Sequence, residues 1–178
     1  MFRSVLIDAC VLVPISLCDV LLELADAEFF KPLWSEMILA EVKNALVNDI
    51  GLPEERARVR IQEMRTAFPE GMIVNFEDAI PLMKNHPKDR HVLAAAVKGG
   101  CDCILTENLG DFPSDVLTQY GVAAISPDDF LVSLLEEDSD EVWEVINNKC
   151  KSYRNPPRTM KQFCQQLGKL VPHFAAQL

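Results

Sequence analysis

Apolar residues run along the chain in two rhythms. Val5-Leu6-Ile7 is a short continuous apolar run closed by Asp8, the pattern of a strand buried on both faces of a parallel sheet. Over residues 15–30 the spacing changes: Leu17, Val20, Leu21 and Leu24 recur at helical intervals behind Pro14, which suits a helix start. Ser35 can cap the next helix, with Glu36 in its first turn, where the dipole favours an anion. A third helix is predicted over about 53–68, since Pro53 fits the first helical position and Pro69 follows its end. Met72-Ile73-Val74 makes a weak strand, and residues 89–98 form an amphipathic helix that stops at Gly99-Gly100. Residues 103–106 and 122–125 read as strands. Ser126-Pro127-Asp128-Asp129 then combines a cap, a proline and two acids as a helix start. Beyond Glu136 the pattern is helical, interrupted at Asn155-Pro156-Pro157.

Strands alternating with helices predict an α/β fold with a central parallel sheet covered on both faces. At 178 residues the chain is one ordinary domain with some forty residues to spare. Folding at that length buries roughly 70% of the unfolded surface, so neither disulfides nor structural zinc are needed for a core. The 49% apolar and 25% charged composition is that of a globular protein and excludes a disordered tail or a fibrous chain. No apolar run reaches the roughly eighteen residues that span a bilayer. The six cysteines contain no Cys-x-x-Cys pair, and Met1-Phe2-Arg3-Ser4 leads at once into the first strand. A cytoplasmic protein with reduced thiols, no signal peptide and no membrane partner is therefore expected. The seven glycines form neither a dinucleotide-binding fingerprint nor a phosphate-binding loop.

The net charge of −10 argues at first against a nucleic-acid partner. Its distribution alters that picture. Residues 1–141 carry −15, whereas residues 142–178 carry +5, with Lys149, Lys151, Arg154, Arg158, Lys161 and Lys169 against Glu144 alone. Tyr153 and Phe163 lie among these cations and offer faces for base stacking. Packing of this segment on the acidic body as a fold-completing helix is the structural alternative.

Four carboxylates stand where apolar residues would serve stability better. Asp8 ends the first strand, and in parallel sheets ligands bind outside the carboxyl ends of strands. Asp111 follows the 103–106 strand closely enough to reach the same edge. Glu41 falls on the stripe marked by Ile38, Val42 and Ala45, and Asp89 on the face continued by Val92, Leu93 and Ala96. Taken singly, Asp89 is a good helix cap, Glu41 can reach solvent, and the other two suit a strand end and a turn. Gathered at one sheet edge they repel, and need a cation or raised pKa values. An oxygen-only cluster with no His or Cys nearby suits Mg²⁺ or Mn²⁺ rather than zinc, the equipment for hydrolysing a phosphodiester.

The spacing of these motifs resembles the PIN domain, most closely the VapC-type toxin ribonucleases of bacterial toxin–antitoxin systems. The stretches that carry the resemblance begin with Leu6-Ile7-Asp8-Ala9-Cys10-Val11-Leu12, Leu33-Trp34-Ser35-Glu36 and Ile38-Leu39-Ala40-Glu41-Val42. They continue with Asp89-Arg90-His91-Val92-Leu93-Ala94-Ala95-Ala96, Ile104-Leu105-Thr106-Glu107-Asn108-Leu109-Gly110-Asp111-Phe112 and Ser126-Pro127-Asp128-Asp129-Phe130-Leu131. The branch it resembles also carries a helical C-terminal extension with an element like Asn155-Pro156-Pro157. The resemblance implies a three-layer α/β/α sandwich over 1–135 and a helical extension over 136–178. It makes Asp8, Glu41, Asp89 and Asp111 a quartet that binds Mg²⁺ or Mn²⁺, with Thr106 and Asn108 as polar residues holding the site in order. The implied activity is endonucleolytic hydrolysis of RNA, with a cognate antitoxin protein as partner, and it leaves a homodimer open. Many relatives have Asn or Ser two residues after the first Asp, where this chain has Cys10.

Other readings narrow the field. Cys10 has no evident His base in sequence and reads as a small buried hydrophobe rather than a nucleophile. His86, His91 and His173 are too few and scattered for zinc, and His91 reads as a packing or supporting residue. Arg56, Arg58, Arg60 and Arg65 mark a solvated face, an antitoxin contact or a phosphate rail on the third helix. A haloacid-dehalogenase-like phosphatase would need a second Asp where Cys10 stands, and a receiver domain needs an Asp after its third strand. The rival from outside the enzymes is a catalytically idle PIN-like module that binds RNA or protein. Four retained, mutually repelling acids argue against it.

Overall fold

The computed structural model describes residues 2–154 and 158–178, so the Asn155-Pro156-Pro157 interruption lies outside the described residues. In chain order the elements are β1 (Ser4–Ile7), α1 (Ala9–Leu12), α2 (Ile15–Asp26), β2 (Lys31–Ser35), α3 (Glu36–Asn48), α4 (Glu54–Ala67), β3 (Met72–Ile73) and α5 (Arg90–Gly99). There follow β4 (Cys103–Leu105), α6 (Ser114–Leu117), β5 (Ala123–Ile125), α7 (Pro127–Glu137), α8 (Ser139–Ser152), α9 (Met160–Leu167) and α10 (Pro172–Ala175).

The five strands form one parallel sheet in the order β3-β2-β1-β4-β5. Val5, Leu6 and Ile7 of β1 and all of β4 are buried, as continuous apolar runs at the centre of a parallel sheet must be. The crossovers from β1 to β2 to β3 travel one way and those through β4 to β5 the other. With right-handed connections this puts α2, α3 and α4 on one face and α5 on the opposite face, three layers in all. Helices packed on both sides of β1 bury Leu6, Leu21, Ile38, Val92 and Leu93 in one continuous core.

Most predicted elements stand. Ser35 caps α3, its Oγ accepting the Ile38 N–H at 3.3 Å, and Ser126 caps α7 by accepting the Asp129 N–H at 3.1 Å. Gly100 ends α5 at φ +61°, a left-handed conformation that a side chain would strain. The helix predicted over 15–30 stops at Asp26, and the chain turns through Glu28 (φ 63°) into β2, a strand that periodicity misses. Lys31-Pro32 opens it like a turn, and its inward run is only Leu33-Trp34 before Ser35 begins α3. Trp34 is fully buried and meets Phe68 edge-on at 6.0 Å between ring centres.

The C-terminal helices belong to the same body. Val142, Ile146, Phe163, Leu167 and Phe174 are buried, and α8 packs on α2 and α7. Lys149 Nζ lies 2.8 Å from Glu23 and 3.8 Å from Asp19, and the Tyr153 hydroxyl donates to Asp19 at 2.8 Å. The Arg158 guanidinium lies over the Tyr153 ring at 4.5 Å. Asp128 of α7 accepts the N–H groups of His173 and Phe174 at 3.0 and 2.9 Å, pinning α10. Phe163 is thus core and closed to base stacking, which corrects the sequence-based expectation, and half-buried Tyr153 is already engaged. Among the described residues no helix is long and apolar enough to cross a membrane.

Candidate functional site

The strand order reverses between β1 and β4, and in open parallel sheets a crevice forms beyond the carboxyl ends of the strands at such a point. The register pairs Ile7 with Leu105, so the residues that follow, Asp8 and Thr106, stand side by side at that crevice. Asp8 is 5% exposed and accepts three hydrogen bonds. Its Oδ1 accepts the Ala9 N–H at 2.7 Å, making it the cap of α1, and its Oδ2 accepts the Thr106 hydroxyl at 2.7 Å. The Cys10 thiol donates to the same Oδ2 at 3.3 Å. Thr106, fully buried, accepts the backbone N–H of Asn108 at 3.1 Å. These bonds fix the Asp8 carboxylate in one orientation.

Asp89 sits immediately before α5 but makes no side-chain capping bond, so the helix-cap explanation fails. Its Oδ2 is buried and accepts no hydrogen bond, with His86 Nδ1 its near neighbour at 3.3 Å. Burial raises the Asp89 pKa first, and the charges of Asp111 and Asp8 raise it further. Asp111 lies in a short 3₁₀ turn over Leu109–Asp111 that closes with its N–H donating to the Asn108 carbonyl at 2.9 Å. Glu41 projects from α3 with its side chain 44% exposed, its Oε2 3.3 Å from His91 Nε2. His91 is buried, and burial alone would lower its pKa. The Glu41 carboxylate, the Lys88 carbonyl and the Asp8 charge outweigh that and raise it.

A cleft of about 350 Å³ opens over these groups, lined by Asp8, Cys10, Glu41, Lys88, Asp89 and Asn108 among others. Asp111 is absent from the cleft wall but close to Asp89: one ligand-capable atom from each of His86, Asp89 and Asp111 lies within 4.8 Å of the others. Asp8, Glu41, Asp89 and Asn108 thus share one cleft, Thr106 stands behind Asp8, and Asp111 adjoins through Asp89. The donor set fits a hard divalent cation. Three carboxylates repel one another around a buried, partnerless carboxylate oxygen, and a cation relieves both penalties.

The structure corrects two sequence-based expectations here. The cluster is not free of His and Cys, since His86 and Cys10 both touch its carboxylates. Nor is Cys10 a plain core residue: it is half-buried and holds Asp8. Burial and the Asp8 charge push its thiol up to about 12, so it is no thiolate nucleophile at neutral pH. The arginines of α4 are divided. Arg60 donates to the carbonyls of Leu12 and Val13 at the end of α1, Arg58 pairs with Glu55 and Arg65 with Glu36, which leaves Arg56 without an ion pair among the described residues. His86 is hard to place from sequence because it lies in a Pro87 turn with no periodicity to orient it. Its position three residues before Asp89 is the available signal.

A family model described as the PIN domain matches residues 4–110, and one described as the VapC50 C-terminal domain matches residues 127–178. The chain is also similar to a Mycobacterium tuberculosis protein named "Putative ribonuclease VapC50". The two are 41% identical over 116 residues, which cover 63% of this chain and 69% of the relative. No solved structure gives a significant match.

Proposed function

The chain belongs to the PIN domain family, and from that premise we propose that it is an Mg²⁺- or Mn²⁺-dependent endoribonuclease, the toxin of a VapC-type toxin–antitoxin pair. The observation that carries this reading is the Asp89 Oδ2, buried beside Asp111 and Asp8 at the edge of an open cleft with the His86 imidazole as its near neighbour at 3.3 Å. Asp8, Glu41, Asp89 and Asp111 would hold the metal. A bound divalent ion lowers the pKa of a water and offsets charge on a phosphodiester undergoing attack.

The chain's own residues supply positioning. The Ala9 N–H and the Thr106 hydroxyl aim Asp8, and the Asn108 N–H in turn aims Thr106. His91 donates its Nδ1–H to the Lys88 carbonyl (3.1 Å), presents Nε2 to Glu41 and restrains that flexible side chain. The Lys88 ammonium, exposed at the cleft wall, attracts the phosphate backbone across an otherwise acidic body. RNA entering the open cleft is the substrate class that goes with this reading.

RNA cleavage with added Mg²⁺ or Mn²⁺, comparing the wild type with Asp8→Asn, tests the proposal. Metal-dependent cuts that vanish in the variant support it. Equal RNA binding by both proteins without any cleavage assigns the fold to the idle binding module instead.

A further inference from the structure

We propose that His86 is a ligand of this metal centre, its Nδ1 joining the carboxylates of Asp89 and Asp111, and that this nitrogen donor biases the site toward Mn²⁺ over Mg²⁺. The inference rests on the metal-nuclease reading and adds to it a residue outside the acidic quartet, together with a metal preference.

Geometry supports it in three ways. First, two adjacent ligands of one ion, each about 2.1 Å from it, lie about 3 Å apart. His86 Nδ1 and Asp89 Oδ2 stand 3.3 Å apart, and an oxygen of Asp111 falls within 4.8 Å of both. Second, that Asp89 oxygen is buried and makes no well-formed hydrogen bond, its near neighbour being this imidazole, so an ion between the two would supply the partner it lacks. Third, the backbone holds His86 at the site. Its N–H donates to the Asp111 carbonyl at 3.2 Å and its carbonyl accepts the Asp89 N–H at 3.0 Å. Pro87 stiffens the turn between them, and the buried Asn85 amide donates to the Asp89 carbonyl at 3.0 Å. One 3₁₀ turn thus carries two of the donors and is bonded to the segment carrying the third. The imidazole also remains half exposed, so it can turn toward an ion without breaking a core contact.

The chemistry sets the preference. Mg²⁺ holds to oxygen donors and water, whereas first-row transition ions accept imidazole readily. An all-carboxylate site has little reason to separate Mg²⁺ from Mn²⁺. Replacing one oxygen donor by a nitrogen gives it one.

The test measures metal binding on the full chain. Mn²⁺ and Mg²⁺ affinities are taken by calorimetry, and electron spin echo modulation reports whether a ¹⁴N nucleus lies on bound Mn²⁺. The proteins are the wild type, His86→Ala and Asp89→Asn, with His86→Asn in reserve should the alanine disturb the turn. The expected result is a ¹⁴N modulation in the wild type that disappears in the His86 variant. Mn²⁺ binding should fall about tenfold while Mg²⁺ binding changes less, and folding should stay intact by circular dichroism. Because His91 faces Glu41, only loss of the signal in the His86 variant assigns the nitrogen. Mn²⁺ bound as tightly by His86→Ala as by the wild type, and abolished by Asp89→Asn, would overturn the role of His86 and leave the carboxylate centre standing. Absence of Mn²⁺ binding to the wild type would overturn both.

Discussion

Thr106→Val isolates the hydrogen bond that orients Asp8. The substitution keeps the branched shape but deletes a fully buried hydroxyl that donates to Asp8 Oδ2 at 2.7 Å and accepts the Asn108 N–H at 3.1 Å. A hydrogen bond to a charged group is worth about 1.5–3 kcal/mol. Asn108 is exposed and its N–H can turn to water, so that half of the loss is small. The Cys10 thiol still donates to Asp8, which keeps the carboxylate from being stripped of partners. A net loss of about 2 kcal/mol follows, equivalent to about 4–8 °C in melting temperature for a domain of this size. Metal affinity should fall by about 10–100-fold, the usual cost of removing a group that orients a ligand. Thermal unfolding and Mn²⁺ titration read both effects, and Thr106→Ser should recover most of the affinity because it restores the donor. Combining Thr106→Val with Asp8→Asn gives a cycle whose coupling should match the energy of that one bond. If Thr106→Val melts and binds Mn²⁺ like the wild type, the hydroxyl is not what aims Asp8, and the account of the site's preorganisation fails.

Asp89→Asn should stabilise the metal-free protein. The Asp89 pKa is raised in the fold, so folding takes up a proton and stability falls as pH rises past the ordinary carboxyl range. Melting temperatures from pH 4 to pH 8 should therefore show the variant gaining on the wild type with increasing pH, and a gain largest at low pH contradicts the assignment. Glu41→Gln should abolish cleavage with little change in melting, since the side chain is 44% exposed and its charge serves the cleft rather than the core. Recovery of full activity in that variant would make Glu41 dispensable. Lys151 and Lys161 on the C-terminal helices and Lys169 in the turn before α10 are exposed, and replacing all three by Gln should lower the salt slope of RNA binding by about 0.7 for each phosphate no longer neutralised. An unchanged slope moves the RNA path to Lys88 and the cleft wall. Lys149→Met should lower the melting temperature, because it strips Glu23 of its cation and leaves Asp19 with the Tyr153 hydroxyl alone, and unaltered unfolding would show that the pair holds nothing.

The acids are readable because each breaks a pattern. Asp8 closes an apolar run, Glu41 interrupts an apolar helical face, and Asp89 stands just ahead of the apolar face of α5, so the pattern draws attention to all three. The ends of α5 and α7 are readable for a related reason: glycine, serine and proline act locally, and no tertiary contact overrides them. Interactions without local cause stay hidden. The partnerless oxygen of Asp89 depends on how two loops meet, and the pairing of Cys10 with Asp8 on where α1 begins. The stacking role expected of Phe163 fails because a short amphipathic helix hides its aromatic once a neighbouring face is available, here beside Tyr153 at 6.1 Å. Charge along the sequence likewise does not reveal that Lys149 faces inward to α2.

The order of strands sets a timetable for the nascent chain. β1 emerges first, yet one of its neighbours in the sheet is β4, and Asp111 follows about 100 residues after Asp8. Ribosomes add about 5–20 residues per second, so roughly 5–20 s separate the first acid from the last. For most of that interval Asp8 lacks Thr106, and Asp89, once made, still waits for the neighbour that completes its cluster. Until Asp111 has been made, a ribosome-bound chain holds these carboxylates unassembled.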